Sequence, residues 1–156
     1  MFGLTRRLIS LNGSPKTNLA MLSSAVGIEL ELIETESSVG SFNPQKPSKD
    51  HWTTLRCGTS AYHIALLIDT HRGRIGIEFY VPDDKEIGRK AIGSAGLFEE
   101  RLGLAAAPFD AKKASGLRFY KDGCKIKDNE TAWPGFISEQ LKWAIAMKKV
   151  IAELGL

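Results

Sequence analysis

Two stretches in the middle of the chain, 62–70 and 75–81, carry apolar residues at every second position. A period of two is typical of strands with one buried face. The two apolar sets fall on the same face if a four-residue loop at 71–74 joins the strands and pairs Ile68 with Ile77. The pattern therefore predicts an antiparallel hairpin.

Two longer segments have the spacing of helices. The first is predicted to begin at Asp83 or Asp84 and to run to about Leu102, with one apolar stripe. The second spans 133–154 and is followed by Gly155, a residue favoured just after a helix end. Its apolar residues cover more than one stripe, so we expect it to be buried on two sides, against the sheet and against something else.

A second hairpin is predicted around Asp122-Gly123, the dipeptide that favours a two-residue type I′ turn. Its strands would be 116–121 and 124–127. Because side chains alternate across a strand, this register places four polar side chains on one face, namely Arg118, Tyr120, Lys125 and Lys127.

The order hairpin, helix, hairpin, helix predicts an α+β fold over 51–156, with an antiparallel sheet built from hairpins and covered by two long helices. Ahead of it, 18–26 has a helical pattern and 28–34 alternates apolar and acidic residues like a half-buried strand. Two prolines and four serines between 37 and 50 indicate a linker. We therefore divide the chain into an N-terminal helix-strand appendage with its linker, 1–50, and the main domain.

Composition is that of a soluble globular protein, since 43% of the 156 residues are hydrophobic and 25% are charged. Cys57 and Cys124 lie far apart, so we expect reduced thiols rather than a zinc or redox site. No run approaches the roughly 18 apolar residues that span a bilayer, and Arg6 and Arg7 interrupt the apolar opening that a secretory signal needs. We expect a cytoplasmic protein without membrane contact.

The charged residues are unevenly distributed along the chain. The net charge of +3 is too small to indicate a nucleic-acid partner, but residues 111–127 carry six cations against one acid. Cations around a tyrosine are suited to hold phosphates and stack a base, which makes Arg118, Tyr120, Lys125 and Lys127 the candidate nucleic-acid-binding residues. The alternative is a solvated hairpin whose lysines prevent edge-to-edge pairing.

Catalytic residues, metals and cofactors are not predicted. Asp83 and Asp110 match parts of a nuclease pattern, but a helix is predicted between them where the chemistry needs adjacent strands, so we interpret them as a helix cap and a loop residue. His63 and His71 are too far apart along one strand to share a metal. Glu78, on the non-core strand face, could act as a general base if that face formed a pocket, but a carboxylate on a solvated sheet face is the commoner explanation.

The region from Trp52 onwards resembles a bacterial domain of unknown function that occurs C-terminal to restriction-endonuclease-like domains. Three stretches carry the resemblance: IGIEFY at 75–80, FEERLG at 98–103 and TAWPGFISEQLKW at 131–143. None is a catalytic signature, so the resemblance informs the fold more than the activity.

Residues 19–42 look like the lead-in to the nuclease-like domain of longer relatives. There the family continues into a strand with a metal-binding aspartate and, later, an IENQ-type strand. Here Phe42 is followed by Asn43-Pro44 and neither strand is present. The resemblance therefore implies a relative whose nuclease core is missing.

The leading functional hypothesis is a non-enzymatic accessory domain that binds nucleic acid or a protein partner. One alternative is a small metal-dependent nuclease or hydrolase that uses acids such as Glu78. The other is a structural homodimer built on the last helix. The sequence identifies no ligand, and no cofactor is expected.

Overall fold

The computed structural model describes residues 43–44 and 52–156. The predicted helix at 18–26, the strand at 28–34 and most of the linker lie outside the described residues. Asn43–Pro44, inside the predicted linker, pairs with a strand of the main domain. The boundary at residue 50 remains a prediction.

In the described part of the chain, six antiparallel strands form one sheet in the order β1-β2-β3-β4-β6-β5. They are β1 (Asn43–Pro44), β2 (Trp52–Arg56), β3 (His63–Asp69), β4 (Arg74–Val81), β5 (Ala106–Asp110) and β6 (Ser115–Lys121). On one face of the sheet, here called the core face, large apolar side chains are fully buried: Ile64, Leu66, Ile68, Ile75, Ile77, Phe79, Leu117 and Phe119. With its helices described below, the sheet confirms the predicted α+β class.

The β3–β4 hairpin forms as predicted, but its register is shifted. Ile68 pairs with Ile75 rather than with Ile77, and the four-residue loop is 70–73. The carboxylate of Asp69 accepts the backbone N–H of Arg72 at 3.0 Å, which fixes the turn one residue earlier than predicted. Because the loop keeps an even number of residues, the apolar residues still share one face.

The hairpin predicted after β6 is wrong. Residues 124–127 form no strand, because β6 already pairs with β4 on one edge and with β5 on the other. Cys124 instead donates its backbone N–H to the carbonyl of Gly73 at 2.7 Å, and the side chains of Cys124 and Ile126 are buried. This segment closes the core beside the β3–β4 turn rather than extending the sheet.

Three α-helices of the described residues pack on the core face, namely α1 (Lys85–Gly93), α2 (Ala95–Leu102) and α3 (Trp133–Glu153), and a short 3-10 helix at Glu130–Ala132 precedes α3. The predicted helix start is confirmed at Asp84, whose side chain accepts the backbone N–H of Ile87 at 3.2 Å. The predicted single helix is broken at Ser94, directly after Gly93, a poor helix former. No described helix is long and apolar enough to cross a bilayer.

The last helix is buried on two sides, as its broad apolar surface predicts. One side packs against the sheet and the other against α2. Gln140, only 1% exposed, donates its side-chain N–H groups to the carbonyls of Leu67 at 2.8 Å and Gly76 at 2.9 Å. A buried polar side chain with both bonds satisfied fixes the position of α3 along the sheet.

A candidate nucleic-acid interface on the open sheet face

The sheet face opposite the three helices, here called the open face, carries aromatic and charged side chains. Strand pairing aligns them in rows that run across the sheet. Seven side chains define it: His63, Arg74, Glu78, Tyr80, Phe109, Arg118 and Tyr120. All are partly accessible except Glu78, which is 8% exposed.

The first row is aromatic. The rings of His63 and Tyr80 have centroids 5.0 Å apart, and those of Tyr80 and Phe109 are 6.0 Å apart. Phe109 reaches Tyr80 across β6 because Gly116 lies between them, and a Cβ there would be 3.0 Å from the Phe109 ring. The row therefore presents three neighbouring rings from three different strands.

The second row is an ion pair whose arginine also contacts an aromatic ring. Arg118 donates its Nε–H to Glu78 at 2.5 Å, and its guanidinium lies 4.3 Å from the centroid of the Phe109 ring. The Arg118 side chain remains 44% exposed, whereas that of Glu78 is 10% exposed. The arginine therefore reaches solvent, while the carboxylate serves mainly to hold it.

The third element is a stack at the turn end of the sheet. The guanidinium carbon of Arg74 lies 3.8 Å from the centroid of the Tyr120 ring, and its Nε–H donates to Asp69 at 3.1 Å. The ring can lean over the neighbouring strand only because residue 76 is glycine, since a Cβ there would be 2.7 Å from the Tyr120 Cδ1. Tyr120, Arg74 and Asp69 thus form a chain of contacts that orders the arginine.

Burial and pairing shift two titrating groups on or beside this face. Burial lowers the pKa of His63, which favours the neutral imidazole. For Asp69, burial alone would raise the pKa, but the hydrogen bonds from Arg72 and Arg74 outweigh it and lower the pKa. The Asp69 carboxylate is therefore ionised at neutral pH.

The structure brings together two of the four predicted binding residues. Arg118 and Tyr120 lie on one face of β6, as the strand alternation requires. Lys125 and Lys127 are exposed, but they lie in the irregular segment after β6 and have no cross-strand register with the other two. The predicted pairings are wrong because the chain does not turn back along β6 after Asp122-Gly123.

The sequence does not predict three of the open-face residues as binding residues. The predicted loop at 71–74 includes Arg74, whereas the observed loop lies one residue earlier and Arg74 begins β4. Phe109 lies in the short strand β5, and Pro108 beside it gave no alternating signal. The sequence suggests His63 only as a candidate metal ligand, whereas its position opposite Tyr80 follows from the pairing of β3 with β4.

The two aspartates that match parts of a nuclease pattern are Asp83 and Asp110. Asp84, not Asp83, caps α1. Asp110 ends β5 rather than lying in a loop, and its hydrogen bond from the Lys85 ammonium lowers its pKa. Within 43–44 and 52–156, no group of three His, Cys, Asp or Glu side chains is arranged to hold a metal ion.

Comparison with known proteins gives a family but no activity. A family model described as Domain of unknown function (DUF4268) matches residues 30–154, so the chain belongs to this family. No curated protein matches the chain. A chain in the crystal structure of the ExsC-ExsE complex is similar over 80% of this chain and 93% of that chain, with 17% identity and a TM-score of 0.35. A TM-score this low does not establish a common fold.

Proposed function

We propose that this member of the DUF4268 family is a non-enzymatic binding domain whose open face binds single-stranded nucleic acid weakly. The observation that supports it is the grouping on one sheet face of three rings with two arginines held in contact with aromatic rings. Aromatic side chains and guanidinium planes both stack on nucleobases. A sheet face that offers several such surfaces suits a strand whose bases are unpaired.

Single strands suit this face better than duplexes. In a duplex the bases are stacked on one another, and a flat protein surface reaches only the backbone and groove edges. Open-face charge is modest, because Glu78 and Asp69 balance two of the arginines. Binding therefore depends on stacking more than on charge.

Lys125 and Lys127 extend the proposed surface as phosphate contacts. Both are exposed in the segment beyond the end of β6. Lysine acts as a point charge that tolerates many geometries, so strand register is not needed for this role. In this proposal Arg118 and the Arg74 guanidinium, which is stacked on Tyr120, contact bases while the two lysines neutralise the backbone.

The evolutionary part of the proposal is that the domain is a bacterial relative of those C-terminal to restriction-endonuclease-like domains, acting as an accessory module. A metal-dependent nuclease or hydrolase using Glu78 is the alternative, and assays with Mg²⁺ and Mn²⁺ on DNA and RNA separate the two. Self-association through α3 is the other alternative. Sedimentation at rising protein concentration tests it.

The experiment for binding is fluorescence anisotropy with labelled thymidine and uridine octamers and with a duplex of equal length, at low salt. We expect weak, saturable binding of the single strands. Tyr120→Phe, which keeps the ring, should bind like the wild type, while Tyr120→Ala should bind about tenfold or more weakly because stacking is worth about 1–3 kcal/mol per base. Absence of binding to every octamer would refute the proposal.

A further inference from the structure

A cleft of about 420 Å³ opens at the turn end of the open face, beside the Arg74–Tyr120 stack. Its lining comes from the end of β3, the turn and the adjoining strands, and includes Leu67, Asp69, His71, Arg72, Arg74 and Tyr120. Apolar, cationic and anionic groups are thus combined in one small space. A cleft with an apolar wall and a few convergent polar groups is the usual form of a small-ligand site.

The carboxylate of Asp69 supplies the cleft with hydrogen-bond acceptors. One oxygen accepts the backbone N–H of Arg72 at 3.0 Å, and the other accepts the Nε–H of Arg74 at 3.1 Å. An ionised carboxylate offers about four acceptor positions, so each oxygen keeps capacity for one more donor. The side chain is 25% exposed, which leaves that capacity open to a ligand.

We infer that this cleft binds a guanine base of a single-stranded nucleic acid, with the Asp69 carboxylate accepting the two adjacent N–H donors of its Watson–Crick edge. This inference rests on the proposed function and adds to it a preference for guanine at one position of the bound strand. The stacking surface is the Arg74 guanidinium, which Tyr120 and Asp69 hold in place.

Guanine is selected because a carboxylate only accepts hydrogen bonds. Guanine alone among the four bases presents two neighbouring donors on its Watson–Crick edge, at N1 and at the exocyclic amine. Adenine and cytosine place a ring-nitrogen acceptor beside their amine, and uracil or thymine places carbonyl oxygens on both sides of its single donor. Those acceptors would face the carboxylate and leave it with a repulsive contact.

The rim of the cleft fits the backbone that carries the base. Arg72 and His71 are exposed at the turn. The Arg72 guanidinium is 3.9 Å from Asp69, at the limit of an ion pair, so it remains available to a phosphate oxygen. The base would then enter beside Arg74 while its phosphate stays at the solvent edge.

The test uses uridine and thymidine octamers that carry one guanine, adenine or cytosine at the same internal position, with dissociation constants measured by anisotropy at low salt. We expect the guanine octamer to bind about tenfold more tightly than the other three, the discrimination of one bidentate contact. Equal affinities for all octamers would overturn the inference and leave the proposed function standing. If no octamer binds, both fail.

Asp69→Asn tests the residue assignment. Its amide oxygen can still accept the Arg72 N–H, but its NH₂ group turns a donor towards the donors of guanine. We expect the guanine preference, measured as the ratio of the affinities for the guanine octamer and the plain octamer, to fall below about twofold, while Asp122→Asn, a control with the same charge change at an exposed site, keeps a preference of about tenfold. Full preference in Asp69→Asn would overturn the assignment.

A second readout needs only the wild-type protein, so it holds even if Asp69→Asn unfolds. Free guanosine, adenosine, cytidine and uridine monophosphates are titrated against the bound guanine octamer. Guanosine monophosphate should displace it at about one tenth of the concentration of the others. Equal competition by the four nucleotides would contradict the proposed site.

Discussion

The carboxylate of Glu78 on β4 accepts a hydrogen bond from the Nε–H of Arg118 on β6, directly across the sheet, at 2.5 Å. Glu78 is 8% exposed, so removing the arginine would leave a nearly buried carboxylate without its cation. We predict that Arg118→Met lowers the free energy of unfolding by about 1–3 kcal/mol, measured by urea denaturation.

The double variant Glu78→Gln/Arg118→Met should recover part of that loss, because the amide no longer carries a buried charge. Arg101→Met is the control, since the pair of Arg101 with Glu153 is exposed and should contribute far less. If Arg118→Met and Arg101→Met are equally stable, the open-face pair does not stabilise the sheet.

A second prediction concerns the contact of α1 with β6. A Cβ on Gly88 would lie 1.9 Å from the Oγ of Ser115, a buried hydroxyl without a hydrogen-bond partner. Gly88→Ala should therefore destabilise the protein by about 1–3 kcal/mol through overpacking. Ser115→Ala should be neutral or stabilising, because it removes an unsatisfied polar atom.

The double variant Gly88→Ala/Ser115→Gly should lose less stability than the sum of the two single changes. Gly93→Ala, in the same helix but with no atom within 4 Å of the new Cβ, is the matched control. It should stabilise the protein by about 0.5–1 kcal/mol because alanine is the better helix former. A destabilised Gly93→Ala would indicate that helix strain rather than the Ser115 contact is responsible.

The periodic apolar pattern predicted elements that form between residues close together in the sequence. It failed where the pairing is between strands far apart in the sequence. The β3–β4 hairpin, the helical region from Asp84 to Leu102 and the last helix were predicted because each repeats an apolar pattern over several turns or residue pairs, but the break at Ser94 that divides α1 from α2 was not predicted. The Asp122-Gly123 signal predicts a type I′ turn that does not form, because Gly123 has φ 75° but Asp122 does not have the positive φ that this turn also needs. It could not reveal that β4 and β5 occupy both edges of β6.

The candidate site was also predictable only in the part that depends on a local pattern. Alternation along β6 correctly placed Arg118 and Tyr120 on one face. The partners of these residues come from β4 and β5, and their proximity depends on a strand order that no local pattern encodes. Even Tyr120 over Gly76 is a contact between residues 44 positions apart in the chain.

The third prediction is a stability change below neutral pH that depends on His63. Burial lowers its pKa in the folded protein, whereas the unfolded chain takes up a proton near pH 6.5. Its contribution is therefore complete above about pH 6.5 and is lost as the pH falls through that value towards the folded-state pKa. Thermal midpoints measured from pH 7.5 to 5.5 should decline less in His63→Gln than in the wild type.

The same substitution at His71, an exposed turn residue, is the control for that series. It shows how far the midpoints change when a histidine outside the sheet is replaced in the same way. Equal slopes for His63→Gln and the wild type would show that the imidazole of His63 titrates alike in the folded and unfolded states.

The fourth prediction separates stacking from charge in nucleic-acid binding. Each phosphate neutralised on a single strand contributes about 0.7 to the slope of log affinity against log salt. If Lys125 and Lys127 contact phosphates, replacing both by alanine should flatten the slope by about 1.4. Tyr120→Ala should instead weaken binding at every salt concentration and leave the slope unchanged, because a stacked ring releases no counterion.

Arg89→Ala/Lys90→Ala removes the same number of charges from exposed positions on α1, in the helix layer on the other side of the sheet. This control should reduce the slope much less than the loss of Lys125 and Lys127, since it acts only through the long-range field. If both double variants flatten the slope equally, the two lysines make no specific contact. The open face would then bind through its rings and arginines alone.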